Sequence, residues 1–212
     1  MRTVLCFGDS NTWGYDPATA TRLPRESRWP VRLQRALGDE WEVIAEGLNG
    51  RTAAHDDPIW EGRNGATYLL PCLRTHMPLD LVVIYLGTND VAMRYSLRAE
   101  DVAASVGRLV RIVRTSETGP DGSAPELLVV CPPPFGRVGP QYGLEAEKSR
   151  QLGPAFGAVC SELRCELLDL NGVAAYSDLD GFHLDADGTA AVARAVEERL
   201  RRMVVCLSTD GE

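Results

Sequence analysis

The fold of this chain of 212 residues is constrained most by an alternation of short apolar runs with longer segments of helical periodicity. The runs are rich in β-branched residues and are closely followed by glycine or proline, which is typical of buried strands. Strands that are separated by helices favour a parallel sheet with helices on both faces. We therefore predict an α/β fold, a three-layer α/β/α sandwich with a five-stranded parallel sheet. The predicted strands are residues 3–7, 41–45, 81–86, 127–131 and 166–170.

Apolar residues recur at helical spacing in several of the segments between the strands. The clearest case begins at Val102, from which valine and leucine recur every three or four residues along one face. No shift in composition divides the chain, so we expect one domain over residues 1–205 and a polar, frayed tail at 206–212. The predicted helices are residues 29–37, 101–113, 145–163 and 187–204.

Charge and composition exclude several classes of partner. Thirty acidic and 22 basic residues give a net charge of −8, and there is no long basic run, so neither nucleic acid nor a membrane surface is an expected partner. The longest central apolar stretch, residues 81–86, is far shorter than the roughly 20 residues that span a bilayer. The six cysteines form no C-x-x-C pair. We expect buried free thiols in a cytoplasmic protein, with no metal site and no cofactor.

Three predicted strands are followed by residues that suit the ligand-binding edge of a parallel sheet. Ser10 lies one turn past the first strand, where it can act as a nucleophile and offer its own N–H to an oxyanion, or serve only as a helix N-cap. Gly50 lacks a Cβ, so its N–H can approach a ligand closely, or it can serve only a turn. Asn89 can donate from Nδ2 to a developing oxyanion or form part of a turn, and we expect Asp90 to cap the next helix.

A fourth motif lies in the loop before the last predicted helix. Asp180 and His183 are three residues apart and are separated by a turn at Gly181. The carboxylate can accept Nδ1–H of His183 and fix its tautomer, which leaves Nε2 free to take a proton from a serine. The alternative is a loop histidine among capping aspartates. A nucleophile, two donors and an Asp/His pair that all follow strands favour a catalytic site over four separate structural roles.

Gly8-Asp9-Ser10, Gly50, Gly87-Thr88-Asn89-Asp90 and Asp180-x-x-His183 resemble the four sequence blocks of the SGNH hydrolase superfamily, also called GDSL esterases. The more particular resemblance is to the bacterial arylesterase/acyltransferase branch. It implies a flavodoxin-like strand order, with Ser10 as nucleophile, His183 as base and Asp180 as its orienting partner. It also implies an oxyanion hole formed by Ser10 N–H, Gly50 N–H and Asn89 Nδ2, and a homo-oligomer.

The resemblance predicts a serine esterase of short-chain acyl esters whose acyl-enzyme is resolved by water or by another alcohol. Asn11 stands where this branch usually has an apolar residue, so we expect it to contact substrate, together with Trp13, which lies close to Ser10 in the sequence. One alternative is a carbohydrate O-deacetylase with the same catalytic residues. The other is an inert hydrolase fold that serves as a binding module.

Overall fold

A computed structural model describes the backbone of residues 1–209 and the side chains of residues 1–204. Its centre is a five-stranded sheet in which every neighbouring pair of strands is parallel. The strands are β1 (Arg2–Gly8), β2 (Tyr15–Asp16), β3 (Thr21–Arg22), β4 (Trp41–Gly47), β5 (Leu81–Tyr85), β6 (Glu126–Cys131) and β7 (Glu166–Asp169). The order β4-β1-β5-β6-β7 is the flavodoxin-like order, and β2 and β3 form a separate hairpin.

The helices form two layers against this sheet. α2 (Trp29–Leu37) packs with α7 (Ala186–Thr209), while α4 (Ala99–Arg114) packs between α3 (Gly65–His76) and α6 (Leu152–Leu163). There are also two shorter helices. α1 (Ser10–Trp13) follows β1 at the carboxyl edge of the sheet, and α5 (Gly143–Ser149) directly precedes α6 in the chain. The predicted three-layer α/β/α sandwich with a five-stranded parallel sheet is confirmed.

The core follows from the apolar patterning of the sequence. All five residues of β5 are buried because helices cover both faces of a central strand. The predicted apolar face of α4 packs inward, with Val102, Val106 and Leu109 buried. The switch point of the strand order falls between β1 and β5, so the residues after these two strands face a shared crevice.

Three features of the fold differ from the sequence-based expectation. The predicted helix 145–163 is divided into α5 and α6, because the helix ends at Ser149 and restarts at Leu152. Helix α3 was not predicted, since its apolar pattern is weak and it contains Pro71. Helix α7 continues to Thr209 and so includes the first residues of the expected tail; residues 210–212 lie outside the described part of the chain.

Among the helices of residues 1–209, none is long and apolar enough to cross a membrane. The five cysteines whose side chains are described are free thiols. Four of them are buried and Cys165 is partly buried.

Candidate active site

The first part of the site is the tight turn from β1 into α1, which presents Ser10. Gly8 ends the strand, and a Cβ at that position would lie 2.1 Å from Thr12 Oγ1, so only glycine allows so close a return of the chain. Asp9 caps the short helix by accepting a hydrogen bond from Asn11 N at 2.9 Å. Ser10 is therefore held at the carboxyl edge of the sheet, beside the crevice that opens at the switch point.

A continuous hydrogen-bonded chain runs from Ser10 through His183 to Asp180. Ser10 Oγ lies 3.0 Å from His183 Nε2, and His183 Nδ1 lies 2.7 Å from Asp180 Oδ2. The second carboxylate oxygen, Oδ1, accepts hydrogen bonds from the backbone N–H groups of Phe182 and His183 at 3.1 and 3.0 Å. Burial raises the pKa of Asp180, but the hydrogen bonds from His183 and from Phe182 N outweigh it and lower the pKa.

Two aromatic rings pack close to the imidazole of His183. The ring of Tyr15 lies 4.3 Å from it between centroids, and that of Phe182 lies 4.9 Å away. Gly181 supplies the left-handed turn, with φ of +80°, that brings Asp180 back against His183. The loop is thereby shaped so that Nε2 faces Ser10.

Asn11 anchors this loop rather than reaching a substrate. Its side chain is 2% exposed; Nδ2 donates to the carbonyl of Phe182 at 3.2 Å, and Oδ1 accepts from Leu184 N at 2.9 Å. Both ends of the carboxamide are thus used on the two residues that flank His183. The structure gives Asn11 a positioning role in place of the predicted substrate contact.

Trp13, the other predicted substrate contact, is also engaged elsewhere. The Trp13 backbone packs directly against Gly47 and leaves no room for a side chain at position 47. The Arg22 guanidinium lies 4.8 Å from the centroid of the Trp13 ring. Arg22 Nε also donates to the Trp13 carbonyl at 2.8 Å. The ring lies outside the lining of the cavity that holds Ser10.

Asn89 follows β5 and lies in the same crevice as Ser10. Its Nδ2 donates to the carbonyl of Arg51 at 3.0 Å and makes a second, longer hydrogen bond to Asp9 Oδ2 at 3.5 Å, and together these contacts orient the amide. Arg51 is itself buried, and its guanidinium donates to the carbonyls of Gly8 and Glu46. The ends of β1, β4 and β5 are therefore tied together beneath Asn89.

Gly50 lies in the turn directly before Arg51, whose N–H donates to Leu48 O at 3.1 Å. It has φ of +75°, and a Cβ there would lie 2.6 Å from the guanidinium of Arg63. The left-handed backbone favours glycine at this position, whereas the Arg63 guanidinium lies at the end of a flexible side chain and can move aside. The contact of Asn89 with Arg51 brings this turn next to the crevice, although Gly50 is outside the lining of the cavity itself.

Two buried aspartates stiffen the base of the site. Both carboxylate oxygens of Asp90 accept from Ala53 N, at 2.9 and 3.1 Å, so Asp90 ties two loops together instead of capping the next helix as predicted. Burial is the main cause that raises the pKa of Asp90 to about 7 and that of Asp9 to about 6.

Ser10, Asn89 and His183 open into one cavity of about 210 Å³. Its wall includes residues for which the sequence offered no motif, since they are ordinary aromatic, apolar and charged residues. Glu145 is the most unusual of them because it is a buried carboxylate. The remaining lining residues are Thr88, Val91, Ala92, Arg94, Phe135, Tyr142 and Phe182.

A different cluster carries residue types that bind metals. Ligand atoms of Glu46, Cys72 and His76 lie within 4.8 Å of one another. His76 Nε2 pairs with Glu46 Oε1 at 2.9 Å, and the buried Arg51 guanidinium donates to the carbonyl of Glu46. The Glu46 carboxylate is thus already hydrogen-bonded by His76 and interacts electrostatically with the buried Arg51 guanidinium, so the cluster fits a hydrogen-bonded network of the protein's own side chains better than a metal site.

Comparison with known proteins defines the class of the molecule. The chain is a carboxylic ester hydrolase. It belongs to the GDSL-like lipase/acylhydrolase family, whose sequence model matches residues 6–191. No curated protein sequence is significantly similar to it.

Solved structures agree with this assignment. A carbohydrate acetylesterase family member from Sinorhizobium meliloti is 43% identical, with a TM-score of 0.90 over 96% of this chain and 99% of its own. The native aryl esterase of M. smegmatis is 37% identical, with a TM-score of 0.90 over 95% and 99%. Est24, a carbohydrate acetylesterase from Sinorhizobium meliloti, is 35% identical, with a TM-score of 0.90 over 96% and 100%.

Proposed function

We propose that this esterase hydrolyses short-chain acyl esters through a Ser10–His183–Asp180 triad and an acyl-enzyme. The observation that carries the proposal is the hydrogen-bonded chain from Ser10 Oγ to His183 Nε2 at 3.0 Å and from His183 Nδ1 to Asp180 Oδ2 at 2.7 Å. A nucleophile, a base and a group that orients the base are the minimal parts of covalent acyl transfer.

In the first half-reaction His183 Nε2 takes the Ser10 proton while Oγ attacks the ester carbonyl carbon. Asp180 holds the imidazole in the required tautomer and stabilises its positive charge. The carbonyl oxygen becomes an oxyanion held by Ser10 N–H, Gly50 N–H and Asn89 Nδ2. His183 then gives its proton to the leaving alcohol, and the acyl group remains on Ser10.

In the second half-reaction His183 takes a proton from water, which attacks the acyl carbon. The tetrahedral intermediate collapses, the bond to Oγ breaks, and the proton returns to Ser10. An alcohol that replaces water at this step gives a new ester, so acyl transfer is part of the proposal. It would be discarded if added alcohol yielded no new ester during turnover.

The size of the cavity supports a short acyl group. About 210 Å³ is below the range of roughly 300–1,000 Å³ that is typical of sites for drug-sized ligands. Substrate contacts at Asn11 and Trp13 are not part of the proposal, because both side chains are engaged outside the cavity.

The test compares p-nitrophenyl acetate with p-nitrophenyl octanoate in the wild type, in Ser10→Ala and in the control Ser161→Ala, which alters an exposed serine of α6. We expect faster turnover of the acetate, no effect of a chelator, and a loss on the order of 10⁶-fold in Ser10→Ala only. Full activity in Ser10→Ala, or equal activity in both serine variants, would refute the mechanism.

Carbohydrate O-deacetylation with the same residues is the second candidate. It is favoured by the names of the Sinorhizobium meliloti structures and by the charged residues Arg94 and Glu145 in the cavity wall. Turnover of an acetylated sugar measured against p-nitrophenyl acetate separates the two substrate classes.

We also propose that the chain is cytoplasmic and forms a homo-oligomer. The free thiols at four buried positions suit a reducing compartment. Large apolar side chains at Ile59, Trp60, Leu144 and Leu179 are exposed, which supports contacts between copies. Sedimentation velocity tests the assembly; a monomer at all concentrations would contradict it.

A further inference from the structure

Two cysteines meet where α6 ends, beside the amino end of β7 and away from the carboxyl edge that holds the catalytic residues. Cys160 lies in the last turn of α6, and Cys165 directly precedes β7. Between them Arg164 has a left-handed backbone with φ of +48°, and its N–H donates to Ser161 O at 3.2 Å. Cys165 N–H donates to Cys160 O at 3.0 Å. These two hydrogen bonds define a Schellman motif, which packs the residue after the turn against the last turn of the helix.

The hydrogen bond between the two backbones keeps the two cysteines within reach of a disulfide. Because Cys165 N–H is bonded directly to the Cys160 carbonyl, covalent geometry leaves the two Cα atoms no more than about 7 Å apart. Disulfides span Cα separations of roughly 4.4–6.8 Å. The two thiols also interact directly with each other. A bond between the two sulfurs can therefore form with little movement of the backbone.

The two thiols differ in exposure and in acidity. Cys160 is 4% exposed, whereas Cys165 is only partly buried. The hydrogen bond with Cys160 lowers the pKa of the Cys165 thiol against the effect of burial, and the charge of Arg114 lowers it further. Arg114 is held nearby by its hydrogen bond to the Arg164 carbonyl at 3.0 Å. The hydrogen bond with Cys165 and burial both raise the pKa of Cys160. Cys165 is therefore the nucleophilic thiol of the pair, and Cys160 keeps its proton.

Among the cysteines whose side chains the structure describes, the other three lack this combination of features. Cys6, Cys72 and Cys131 are buried, and burial is the main cause that raises the pKa of each thiol. The thiolate is the nucleophile in cysteine chemistry, so a buried thiol that keeps its proton reacts slowly. Oxidation should therefore select the pair at the end of α6.

We infer that Cys160 and Cys165 form a modification site at which a hydroperoxide produces a reversible intramolecular disulfide. The Cys165 thiolate first attacks a peroxide oxygen. The O–O bond breaks, Cys165 becomes a sulfenic acid, and the departing hydroxide or alkoxide takes up a proton. The Cys160 sulfur then attacks the Cys165 sulfur; the S–O bond breaks, and the Cys160 proton leaves with the hydroxide as water. The two electrons that the thiols lose are those that the peroxide gains, and a reducing thiol reverses the change.

The experiment exposes the folded full-length chain to hydrogen peroxide for increasing times. Remaining thiols are alkylated, and the protein is then digested with trypsin without a reductant. Cleavage after Arg164 places the two cysteines on separate peptides, 151–164 and 165–194. Mass spectrometry therefore detects the disulfide directly as a linked pair of peptides. The readout does not involve ester hydrolysis, so its result is independent of the proposed function.

Three variants accompany the wild type. Cys165→Ser removes the nucleophilic thiol, and Cys160→Ser removes the thiol that attacks the sulfenic acid. Cys206→Ser is the control, because it removes a cysteine outside the pair. Thermal melts establish that each variant is folded, and dimedone labels any sulfenic acid that persists.

In the wild type and in Cys206→Ser we expect the linked peptides to form about tenfold or more faster than Cys131 is oxidised, and dithiothreitol to separate them. Oxidation of Cys160→Ser should stop at a sulfenic acid on Cys165 that reacts with dimedone, and Cys160 should stay reduced in Cys165→Ser. Oxidation of Cys165 no faster than that of Cys131, or its linkage to a cysteine other than Cys160, overturns the proposal. Oxidation of Cys160 in Cys165→Ser as fast as in the wild type overturns it as well.

Discussion

The carboxamide of Asn11 accepts a hydrogen bond from the backbone N–H of Leu184 at 2.9 Å, although 173 residues separate the two along the chain. Its other end donates to the carbonyl of Phe182. The residue after the proposed nucleophile thus holds the backbone on both sides of His183. These hydrogen bonds connect the residue next to Ser10 with the two residues that flank His183. The position of His183 relative to Ser10 therefore depends on them.

Replacing Asn11 by Leu keeps the approximate volume and removes both hydrogen bonds. The loop that carries His183 is then less well placed, and we expect kcat for p-nitrophenyl acetate to fall about 10- to 100-fold with little change in KM. The unpaired N–H of Leu184 also costs about 1–3 kcal/mol of folding stability.

Asn64→Ala is the control for that loss of stability. Asn64 caps α3 by accepting from Ala66 N at 3.0 Å, so its removal costs about 0.5–2 kcal/mol without touching the catalytic loop. Equal losses of kcat in Asn11→Leu and Asn64→Ala would mean that Asn11 acts only through stability. Urea denaturation and steady-state kinetics on the two variants distinguish these outcomes.

Asp180→Asn tests the orientation of the base. Oδ1 is held by the N–H groups of Phe182 and His183, so an asparagine oxygen occupies that place and its Nδ2 faces His183 Nδ1. The imidazole is then driven to the tautomer with hydrogen on Nε2, which cannot accept the Ser10 proton. We expect kcat to fall on the order of 10⁴-fold, as in serine hydrolases with the same arrangement.

The control for this substitution is Asp178→Asn, an exposed aspartate of the same loop. Its kcat should match the wild type. Activity of Asp180→Asn within about tenfold of the wild type would show that the tautomer of His183 is not set by this carboxylate.

The sequence predicted the sheet and the residues after its strands for one physical reason. The carboxyl ends of parallel strands meet at a common edge, so Ser10 after β1 and Asn89 after β5 had to approach each other once the strands were recognised. Asp180 and His183 were recognisable because their spacing of three residues across a turn at Gly181 already implies contact.

The role of Asn11 and the position of Glu145 in the cavity wall could not be predicted in this way. Asn11 binds backbone groups of Phe182 and Leu184, and backbone groups are present whatever the local sequence. The sequence predicted that Glu145 lies in one continuous helix. In the structure this helix is broken between α5 and α6, and the break determines the position of Glu145. The contacts of Asn11 and the position of Glu145 both depend on tertiary structure, which cannot be predicted from periodicity or motif spacing.

Asn89→Ala removes the side-chain donor that we assign to the oxyanion hole. We expect kcat to fall about 10²- to 10³-fold with KM nearly unchanged, because the donor acts on charge that develops only in the transition state. Asn89→Asp keeps the shape but places an acceptor where a donor is needed, so it should be at least as inactive. If folded Asn89→Asp retained wild-type kcat for p-nitrophenyl acetate, Asn89 would have no role in holding the oxyanion.

Asp90 makes folding stability depend on pH in an unusual direction. Burial, opposed by the hydrogen bonds from Ala53 N and reinforced by the charge of Asp9, raises its pKa from 3.8 to about 7. The folded state therefore binds more protons than the unfolded state between these two values. The contribution of Asp90 to folding stability is therefore greatest below about pH 4, and it is lost as the pH rises through about 7.

Asp90→Asn removes this titration and keeps an oxygen for Ala53 N. One pKa unit corresponds to about 1.4 kcal/mol. Between about pH 4 and pH 8 we therefore expect the wild type to lose on the order of 4 kcal/mol more free energy of unfolding than Asp90→Asn loses. Urea denaturation at several pH values measures the difference, with Asp178→Asn as the exposed control. Parallel curves for the wild type and Asp90→Asn would mean that Asp90 is ionised throughout this range. In that event the bonds from Ala53 N, rather than burial, would dominate its environment.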